Sequence, residues 1–427
     1  MTAGAAIAAG VFLALLLAGF WIPFAVAVGA LLLLWDHGGW NAFRAIGFVS
    51  WGSLNSFTLT AIPLFLLMAE LLLRSGVGAR AYRGLGRVTG RLPGGLLQTN
   101  IAGCALFAAI NGSSVATAAT IGTVALPEMK ARGYDPRMAA GSLAAGGTLG
   151  ILIPPSIAMI VYATFTETSV SKLFAAGILP GLVMTGLFMA FIAWRALRRP
   201  GTAPRAVPDG KGLGAMAADL LPFVLLIGLV LGSIYGGVAT PTEAAAIGVL
   251  GAFALALLFG RCDAGVAGGA LAATARTTAS VLFIVLAAAL LSYSLGVTGI
   301  GRSLTAWIVG LGLPRLAFLL AVVLLYVVMG CFIDSLAMIV ITVPLLHPVL
   351  LAYGVDPVWF GVLLVILIEM GQITPPFGIN LFVIQGIGGG SFEEVALGSL
   401  PYVALMGVMI ALLLAFPGLA LWLPGAM

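Results

Sequence analysis

Charged side chains are scarce in this chain: 8% of its 427 residues are Asp, Glu, Lys or Arg, whereas 62% are apolar. A water-soluble fold could not bury that much apolar surface. Runs such as 281–295 and 316–329 carry no charge, and the ten-residue alternation of an outer-membrane barrel is absent. The sequence therefore predicts an all-α polytopic membrane protein.

The residue types of metal centres and hydrolytic sites are also few. Cys104, Cys262 and Cys331 are scattered without metal-ligand spacing, and His37 and His347 are too isolated for a cluster or a catalytic triad. The three lysines lack the glycine-rich context of an ATP-binding loop. We therefore expect no enzyme and no ATP hydrolysis by this chain.

The net charge of +5 comes mostly from a few basic loops. Such loops indicate membrane topology and contact with the lipid bilayer, not nucleic-acid binding.

The most informative feature that is present is an internal repeat. An offset of 221 positions places six prolines on six prolines without a gap: Pro93 on Pro314, Pro127 on Pro348, Pro136 on Pro357, Pro154 and Pro155 on Pro375 and Pro376, and Pro180 on Pro401. Since proline occupies only about 5% of ordinary positions, one offset is unlikely to match six by chance. In a membrane protein, such doubling is typical of a transporter whose substrate lies between the halves.

The basic loops predict that the second copy is inverted. Clusters at 74–91, 130–137 and 195–211 are expected on the cytoplasmic side, whereas their equivalents in the second half are nearly free of basic residues. Five expected crossings between the copies, at 138–165, 172–195, 217–236, 241–260 and 279–296, give the same inversion. We expect a retained first helix within 1–34, a cytoplasmic N-terminus and a periplasmic C-terminus.

The predicted organisation has five parts. They are the first scaffold helices (1–75), repeat 1 (76–197) with hairpin 1 (93–130) and a broken helix (138–165), a cytoplasmic linker (198–216), central scaffold helices (217–296), and repeat 2 (297–427) with hairpin 2 (314–353) and a broken helix (358–387). Segment 40–57 is predicted as an interfacial helix with tryptophans at headgroup depth.

Each hairpin consists of two apolar arms joined by a short polar tip, Asn111 to Ser114 in the first and Gly330 to Ser335 in the second. One interpretation is two full spans with an ordinary turn. A turn at the water surface would normally carry charge or aromatic anchors, and the first tip carries neither. The pattern favours a re-entrant hairpin that ends near the middle of the bilayer.

Each hairpin is followed by a helix that a double proline interrupts, at 154–155 and 375–376. Two prolines remove two amide donors and leave carbonyl groups unpaired. Inside a membrane these carbonyls are tolerated where they line a cavity, and they suit a hard cation such as Na⁺. A packing kink without a ligand is the alternative.

The hairpin tips offer the complementary groups. Ser113 or Ser114 can cap the second arm so that its amides face an anion, and Asn111 and Thr117 add side-chain oxygens. Asp334 stands in an apolar run without a nearby basic residue, which indicates either cation coordination or a hydrogen-bonded structural role.

Three glutamates are harder to interpret. Glu70 precedes Arg74 by one helical turn and can pair with it, and Glu243 lies in a helix start where a carboxylate is favourable. Glu369 precedes the second break and could be a structural group or part of the pathway, so we assign it no role.

Five segments together resemble one family. AINGSSVATAATIGTVALPEM (109–129), GILIPPS (150–156), LPGL (179–182), GVATPTEAAAIG (237–248) and GQITPPFGINLFV (371–383) are similar to the DctM-like large membrane subunit of TRAP (tripartite ATP-independent periplasmic) transporters. The resemblance implies a Na⁺-driven importer of carboxylated solutes in the bacterial inner membrane, working by an elevator mechanism. It also implies a separate small four-helix membrane subunit and a periplasmic substrate-binding protein as partners.

The resemblance and the residue chemistry together select the candidate site. The expected Na⁺ ligands are Asn111, Gly112, Ser113, Gly150, Ile153, Pro154, Gly330, Asp334, Ser335, Thr374, Pro375, Gly378 and Asn380. The expected substrate contacts are Ser113, Ser114, Thr117, Pro155, Ser156, Ser335 and Pro376.

The charge of the substrate bears on the number of ions. Bringing a dianion into a cell held 100 mV negative costs on the order of 4.6 kcal/mol, which two Na⁺ ions only cancel. We therefore expect at least two Na⁺ per cycle. The alternatives are a channel, a membrane-embedded hydrolase, and a two-repeat Na⁺/anion symporter that works without a binding protein.

Overall fold

The computed structural model describes residues 3–199, 201, 204, 213–388 and 390–427. Over these residues the secondary structure is helical, with no strand. The α-helices in chain order are α1 (Ala3–Leu17), α2 (Ile22–Gly38), α3 (Ile46–Leu54), α4 (Ala61–Arg74), α5 (Val77–Thr89), α6 (Leu96–Asn111), α7 (Ser114–Ala131), α8 (Pro136–Leu152), α9 (Ile157–Thr166), α10 (Val170–Arg198), α11 (Leu213–Tyr235), α12 (Pro241–Phe259), α13 (Ala264–Thr298), α14 (Ile300–Gly310), α15 (Arg315–Gly330), α16 (Ser335–Ala352), α17 (Pro357–Gln372), α18 (Ile379–Gly388), α19 (Phe392–Ala415) and α20 (Gly418–Gly425). Gly39–Ala45 and Thr58–Thr60 are 3₁₀-helices.

Membrane-spanning length is reached by several of these helices. In the described part of the chain, seven helices are long and apolar enough to cross a bilayer, or up to nine if each of two bent pairs counts as one span. One bent pair is 136–166, whose halves meet at 40°, and the other is 58–89, whose halves meet at 74°. The predicted polytopic all-α fold is confirmed.

The internal repeat is visible in the helix bounds. α7 and α16 coincide at the offset of 221, and α8 and α17 begin at equivalent positions. Both α8 and α17 start in the same way: Asp135 and Asp356 each accept two amide hydrogen bonds at the helix N-terminus, and a proline follows each aspartate. The aspartate satisfies free amides and the proline has a preset helical φ, so local sequence alone fixes these two starts.

The two copies pack by a reciprocal exchange of contacts. α7 of the first copy packs against α18 of the second, and α16 of the second packs against α9 of the first. The pairs α8 with α19 and α17 with α10 follow the same rule. Such an exchange of equivalent partners is the mark of a two-fold relation between the halves.

The core lies along the two broken helices. Every residue of α8 from Met138 to Leu152 and every residue of α17 from Trp359 to Gln372 is buried. Glycine residues allow this close packing. For example, the Cβ of an alanine at Gly141 would overlap the main chain of Gly398 on α19. The helices that lead into the two breaks are therefore held in the core of the molecule.

The expected single helix within 1–34 is wrong, because the segment forms α1 and α2. Gly19 adopts φ +78° just after α1, and Pro23 stands in the first turn of α2. A left-handed glycine ends a helix and an early proline begins one, so these two residues separate the helices.

Two other expected segments differ in extent. The crossing at 279–296 is part of the 35-residue α13, about 52 Å long and longer than the roughly 30 Å hydrocarbon core. Segment 40–57 consists of a 3₁₀-helix and α3, with Trp40 and Trp51 exposed. Most of the linker 198–216 lies outside the described residues.

Candidate functional site

The tip of hairpin 1 is a tight turn between α6 and α7. Gly112 adopts φ +59°, and the extended Ser113 caps α7 by accepting a hydrogen bond from the amide of Ala116 at 3.4 Å. A Cβ on Gly112 would lie 2.8 Å from the carbonyl oxygen of Pro155. Only glycine fits both the left-handed conformation and this close approach.

The first helix break lies directly against this tip. A Cβ on Gly150 would lie 2.6 Å from the carbonyl oxygen of Ser113 and 2.8 Å from the hydroxyl of Thr117. Ile153 is extended, and Ser156 caps α9 by accepting a hydrogen bond from the amide of Met159 at 3.3 Å. The structure thus brings together the predicted site residues of the first repeat: Asn111, Gly112, Ser113, Ser114, Thr117, Gly150, Ile153, Pro154, Pro155 and Ser156.

The double proline leaves main-chain oxygens of α8 without helical partners. In a continuous helix, residues 154 and 155 would donate to the carbonyls of Gly150 and Ile151, and proline has no amide hydrogen to donate. Gly150, which bears one of these carbonyls, packs against the polar tip. Main-chain carbonyl oxygens have the hard donor chemistry that suits Na⁺.

The second tip is assembled in a similar way. Gly330 packs on Gly371, since a Cβ on Gly330 would lie 2.8 Å from the Cα of Gly371. Asp334 caps α16 by accepting a hydrogen bond from the amide of Leu336 at 3.2 Å, and Ser335 donates its hydroxyl to Asp334 at 3.4 Å. Asp334 therefore has the structural role of a helix cap, and a role in cation binding stays a prediction.

The second break is more open than the first. Pro376 is exposed, Pro375 and Thr374 are half-buried, and Thr374 donates its hydroxyl to the carbonyl of Met370 at 2.6 Å. Gly378 is needed because its Cβ would lie 2.5 Å from the carbonyl oxygen of Gln372.

The side chain of Asn380, predicted as part of the second site, hydrogen-bonds to a residue of the first half. Its amide nitrogen donates to the hydroxyl of Ser114 at 2.7 Å. That hydroxyl in turn donates to a carboxylate oxygen of Glu369 at 2.8 Å. These contacts join the two copies; the doubling predicts a substrate between the halves, but the sequence did not predict which side chains meet there.

Glu369 is a functional candidate to which the sequence analysis assigned no role. It is the single charged residue in α17, an otherwise uncharged helix, and its side chain is 1% exposed. An ionisable side chain in a membrane-embedded apolar helix is by default a functional candidate, so this signal was present in the sequence.

Several buried oxygens around the tip have no hydrogen-bond partner. Among the described residues these include the hydroxyl of Thr117, the second carboxylate oxygen of Glu369, and the side-chain carbonyl oxygens of Asn380 and Gln372. Buried polar atoms are normally satisfied, so such a group of acceptors indicates a missing positive charge or donor.

The other glutamates have structural partners. Glu70 forms an ion pair with Arg74 at 2.7 Å, and Glu243 forms a reciprocal capping box with Thr240 at the start of α12. Both contacts agree with the sequence analysis, which paired Glu70 with Arg74 and placed Glu243 at a helix start.

Comparison with known proteins identifies the family. The family described as "Tripartite ATP-independent periplasmic transporter, DctM component" matches residues 9–419. The chain belongs to this family. It is therefore the large permease subunit of a TRAP transporter, a multi-pass protein of the bacterial inner membrane.

Relatives of known name cover nearly the whole chain. It is 35% identical to the C4-dicarboxylate TRAP transporter large permease protein DctM of Pseudomonas aeruginosa, over 90% of each chain. It is 32% identical to the sialic acid TRAP transporter large permease protein SiaM of Vibrio cholerae, over 97% of this chain and 96% of that protein.

A solved structure shares the fold. The YdaH transporter of Alcanivorax borkumensis matches with a TM-score of 0.67 at 18% identity, over 91% of this chain and 90% of that one. The structure was described as having an unusual topology.

Proposed function

We propose that this TRAP permease imports a carboxylated organic solute together with Na⁺, and that a periplasmic binding protein delivers the solute. The observation that carries the proposal is that each helix break packs against a polar hairpin tip, Gly150 against Ser113 in the first repeat and Gly371 against Gly330 in the second. A carboxylate would meet the amides at the starts of α7 and α16, where the helix dipole favours an anion.

The donor chemistry supports Na⁺ as the coupling ion. The carbonyl oxygen of Ser113 and the hydroxyl of Thr117 lie beside Gly150, and hard monovalent cations prefer such oxygens. The residues that would hold the ions are those at the two tips and breaks, and the ions would supply the charge that brings an anion into a negative cell.

The hairpins support a re-entrant arrangement. α6 and α15 have 16 residues each, or about 24 Å, which falls short of the roughly 30 Å hydrocarbon core. Together with the two-fold exchange of contacts and the basic loops of the first half, this supports an inverted repeat with the N-terminus in the cytoplasm and the C-terminus in the periplasm.

An elevator movement is supported by how the helices divide. The hairpins, broken helices, α10 and α19 pack on one another, and α4 packs mainly on α12 and α13. Between these groups lies a polar pocket of about 420 Å³, lined by residues of the α9–α10 corner, the loop before α4 and the start of α12. We propose that the first group moves as a transport domain against a scaffold formed by the second.

The partners follow from the family. We propose a separate small four-helix membrane subunit beside the scaffold and a periplasmic binding protein at the outer face. The names of the relatives support a carboxylate substrate, since one protein is named for C4-dicarboxylates and the other for sialic acid.

The test is uptake into proteoliposomes that contain the permease and the small subunit. With the binding protein outside, we expect accumulation of labelled succinate or sialic acid only under an inward Na⁺ gradient. Ser114→Ala and Asp334→Ala should raise the Na⁺ concentration for half-maximal uptake. Accumulation that persists in K⁺ alone would contradict Na⁺ coupling.

The same assay separates the alternatives. Uptake without the binding protein would favour a stand-alone symporter, and equilibration without accumulation would favour a channel.

A further inference from the structure

The cluster around Ser114 joins three helices from both halves. Ser114 and Thr117 lie on α7, Glu369 on α17 and Asn380 on α18, and all four side chains are at least nine-tenths buried. Their hydrogen bonds form one chain, in which Asn380 donates to Ser114 and Ser114 donates to Glu369.

Three oxygens of these side chains have no hydrogen-bond partner among the described residues. The unpartnered oxygens of Glu369 and Asn380 belong to the same carboxylate and amide groups that contact the Ser114 hydroxyl. Thr117 follows Ser114 by three positions, so its unpartnered hydroxyl lies on the same face of α7. Gly150 has no side chain to cover this hydroxyl.

Glu369 also lacks a counter-charge. In the part of the chain that the structure describes, no ion pair with Glu369 is formed. Removing a carboxylate from water without a partner costs several kcal/mol.

A cation satisfies this arrangement better than a proton or a water molecule. A proton on Glu369 would remove the charge but contact only one neighbouring acceptor, and a water molecule could donate to two of the three oxygens but would leave the charge unbalanced. A hard cation contacts all three oxygens and balances the charge. One carboxylate among neutral donors favours a monovalent ion.

We propose that Glu369, Asn380 and Thr117 form a Na⁺ site shared between the two halves, separate from the main-chain carbonyls at the helix breaks. The inference deepens the proposed function and rests on it. Because the ligands come from hairpin 1 and from the broken helix of the second repeat, a bound ion fastens the first tip to the other half. Release of the ion frees hairpin 1 from α17 and α18.

The test measures Na⁺ binding without transport. Thermal unfolding of the purified full-length chain is followed as NaCl replaces choline chloride at constant ionic strength. Because Na⁺ binds the folded state, the Tm of the wild type should rise with Na⁺. In Glu369→Gln, the Na⁺ concentration for half of that rise should increase at least about tenfold, which corresponds to about 1.4 kcal/mol.

The matched control is Glu128→Gln, which makes the same chemical change at an exposed glutamate paired with Arg132. The Tm of this control should rise with Na⁺ concentration as the Tm of the wild type does. Thr117→Val keeps the shape of the side chain and removes one ligand, so it should shift the titration in the same direction by less. If Glu369→Gln does not fold, the Na⁺ dependence of the Tm of Thr117→Val alone tests the site.

The outcomes separate this site from the proposed function. If the Tm of both Glu369→Gln and Thr117→Val depends on Na⁺ as the Tm of the wild type does, the shared site is overturned and Na⁺-coupled uptake stays intact. If neither the Tm nor the uptake of the wild type depends on Na⁺, the proposed function is overturned as well.

Discussion

The two hairpin tips occupy equivalent positions in the repeat but have different surroundings. The first tip is buried, with Asn111 only 7% exposed, and Ser114 binds two side chains of the other half. At the second tip Phe332 is 63% exposed, and in the part of the chain that the structure describes the Ser335 hydroxyl donates only to its neighbour Asp334. A repeated sequence therefore builds one closed tip and one open tip.

The difference lies in what each tip contacts, since the local fold is the same. At the first tip the main-chain oxygen of Ser113 packs against Gly150 of the following helix. At the second tip Gly330 packs against the equivalent Gly371. Among the described residues, only the first tip has side-chain hydrogen bonds to the other half. Glu369, which accepts one of them, has the uncharged Thr148 as its equivalent in the first copy.

The largest effect is expected from filling the glycine contacts. A Cβ at Gly150 would lie 2.6 Å from the oxygen of Ser113, and one at Gly371 would lie 2.8 Å from the oxygen of Gly330. Valine at either position should destabilise the fold by about 3 kcal/mol or more, since main chain cannot move aside as a side chain does. The measurement is Tm together with uptake.

The control for this pair is Gly186→Val on α10, where an added Cβ meets nothing within 4 Å. It should leave both readouts unchanged. If Gly150→Val were tolerated and Gly371→Val were not, the two breaks would not be held by equivalent contacts.

The next effect compares the equivalent serines. Ser114→Ala leaves the buried groups of Glu369 and Asn380 without their hydrogen bonds, at about 1–3 kcal/mol for each unsatisfied group. Ser335→Ala removes one local contact and should cost less than about 1 kcal/mol. Denaturation at a fixed Na⁺ concentration compares the two, and equal losses would mean that the cross-half connection adds no stability.

The smallest effect concerns the open tip. The rings of Phe332 and Phe377 pack with centroids 5.6 Å apart, and both side chains are exposed. Such a pair contributes about 0.5–1.5 kcal/mol when buried, so its coupling here should fall near the lower limit.

A double-mutant cycle with Phe332→Leu and Phe377→Leu measures this coupling through Tm. A coupling larger than about 1.5 kcal/mol would indicate that the second tip is closed in solution, which would remove the contrast with the first.

Much of the local structure was predictable from the sequence. The hairpin arms, the breaks at the double prolines and the helix starts at Asp135 and Asp356 follow from groups a few residues apart. The separation of α1 from α2 was not predicted, because apolar residues continue across the break. Gly19 and Pro23 are nevertheless signals of a helix end and a helix start.

The composition of the site was predictable only within each repeat. Gly112 with Pro155, and Gly330 with Gly371, connect a tip to the break that follows it in the same copy, so the order of elements along the chain suggested these contacts. The shared cluster was not predictable, because Ser114 meets partners 255 and 266 positions away in the other copy.

The amino-acid sequence by itself determined the membrane environment, the doubling, the helices and their breaks, since these depend on apolar content and on amide groups lost or capped within one helical turn. The tertiary structure alone decided that Glu369 and Asn380 meet Ser114 and that the two tips differ. Those contacts arise from the packing of one half on the other, and packing depends on the complementary shapes of distant surfaces, which no short stretch of chain contains.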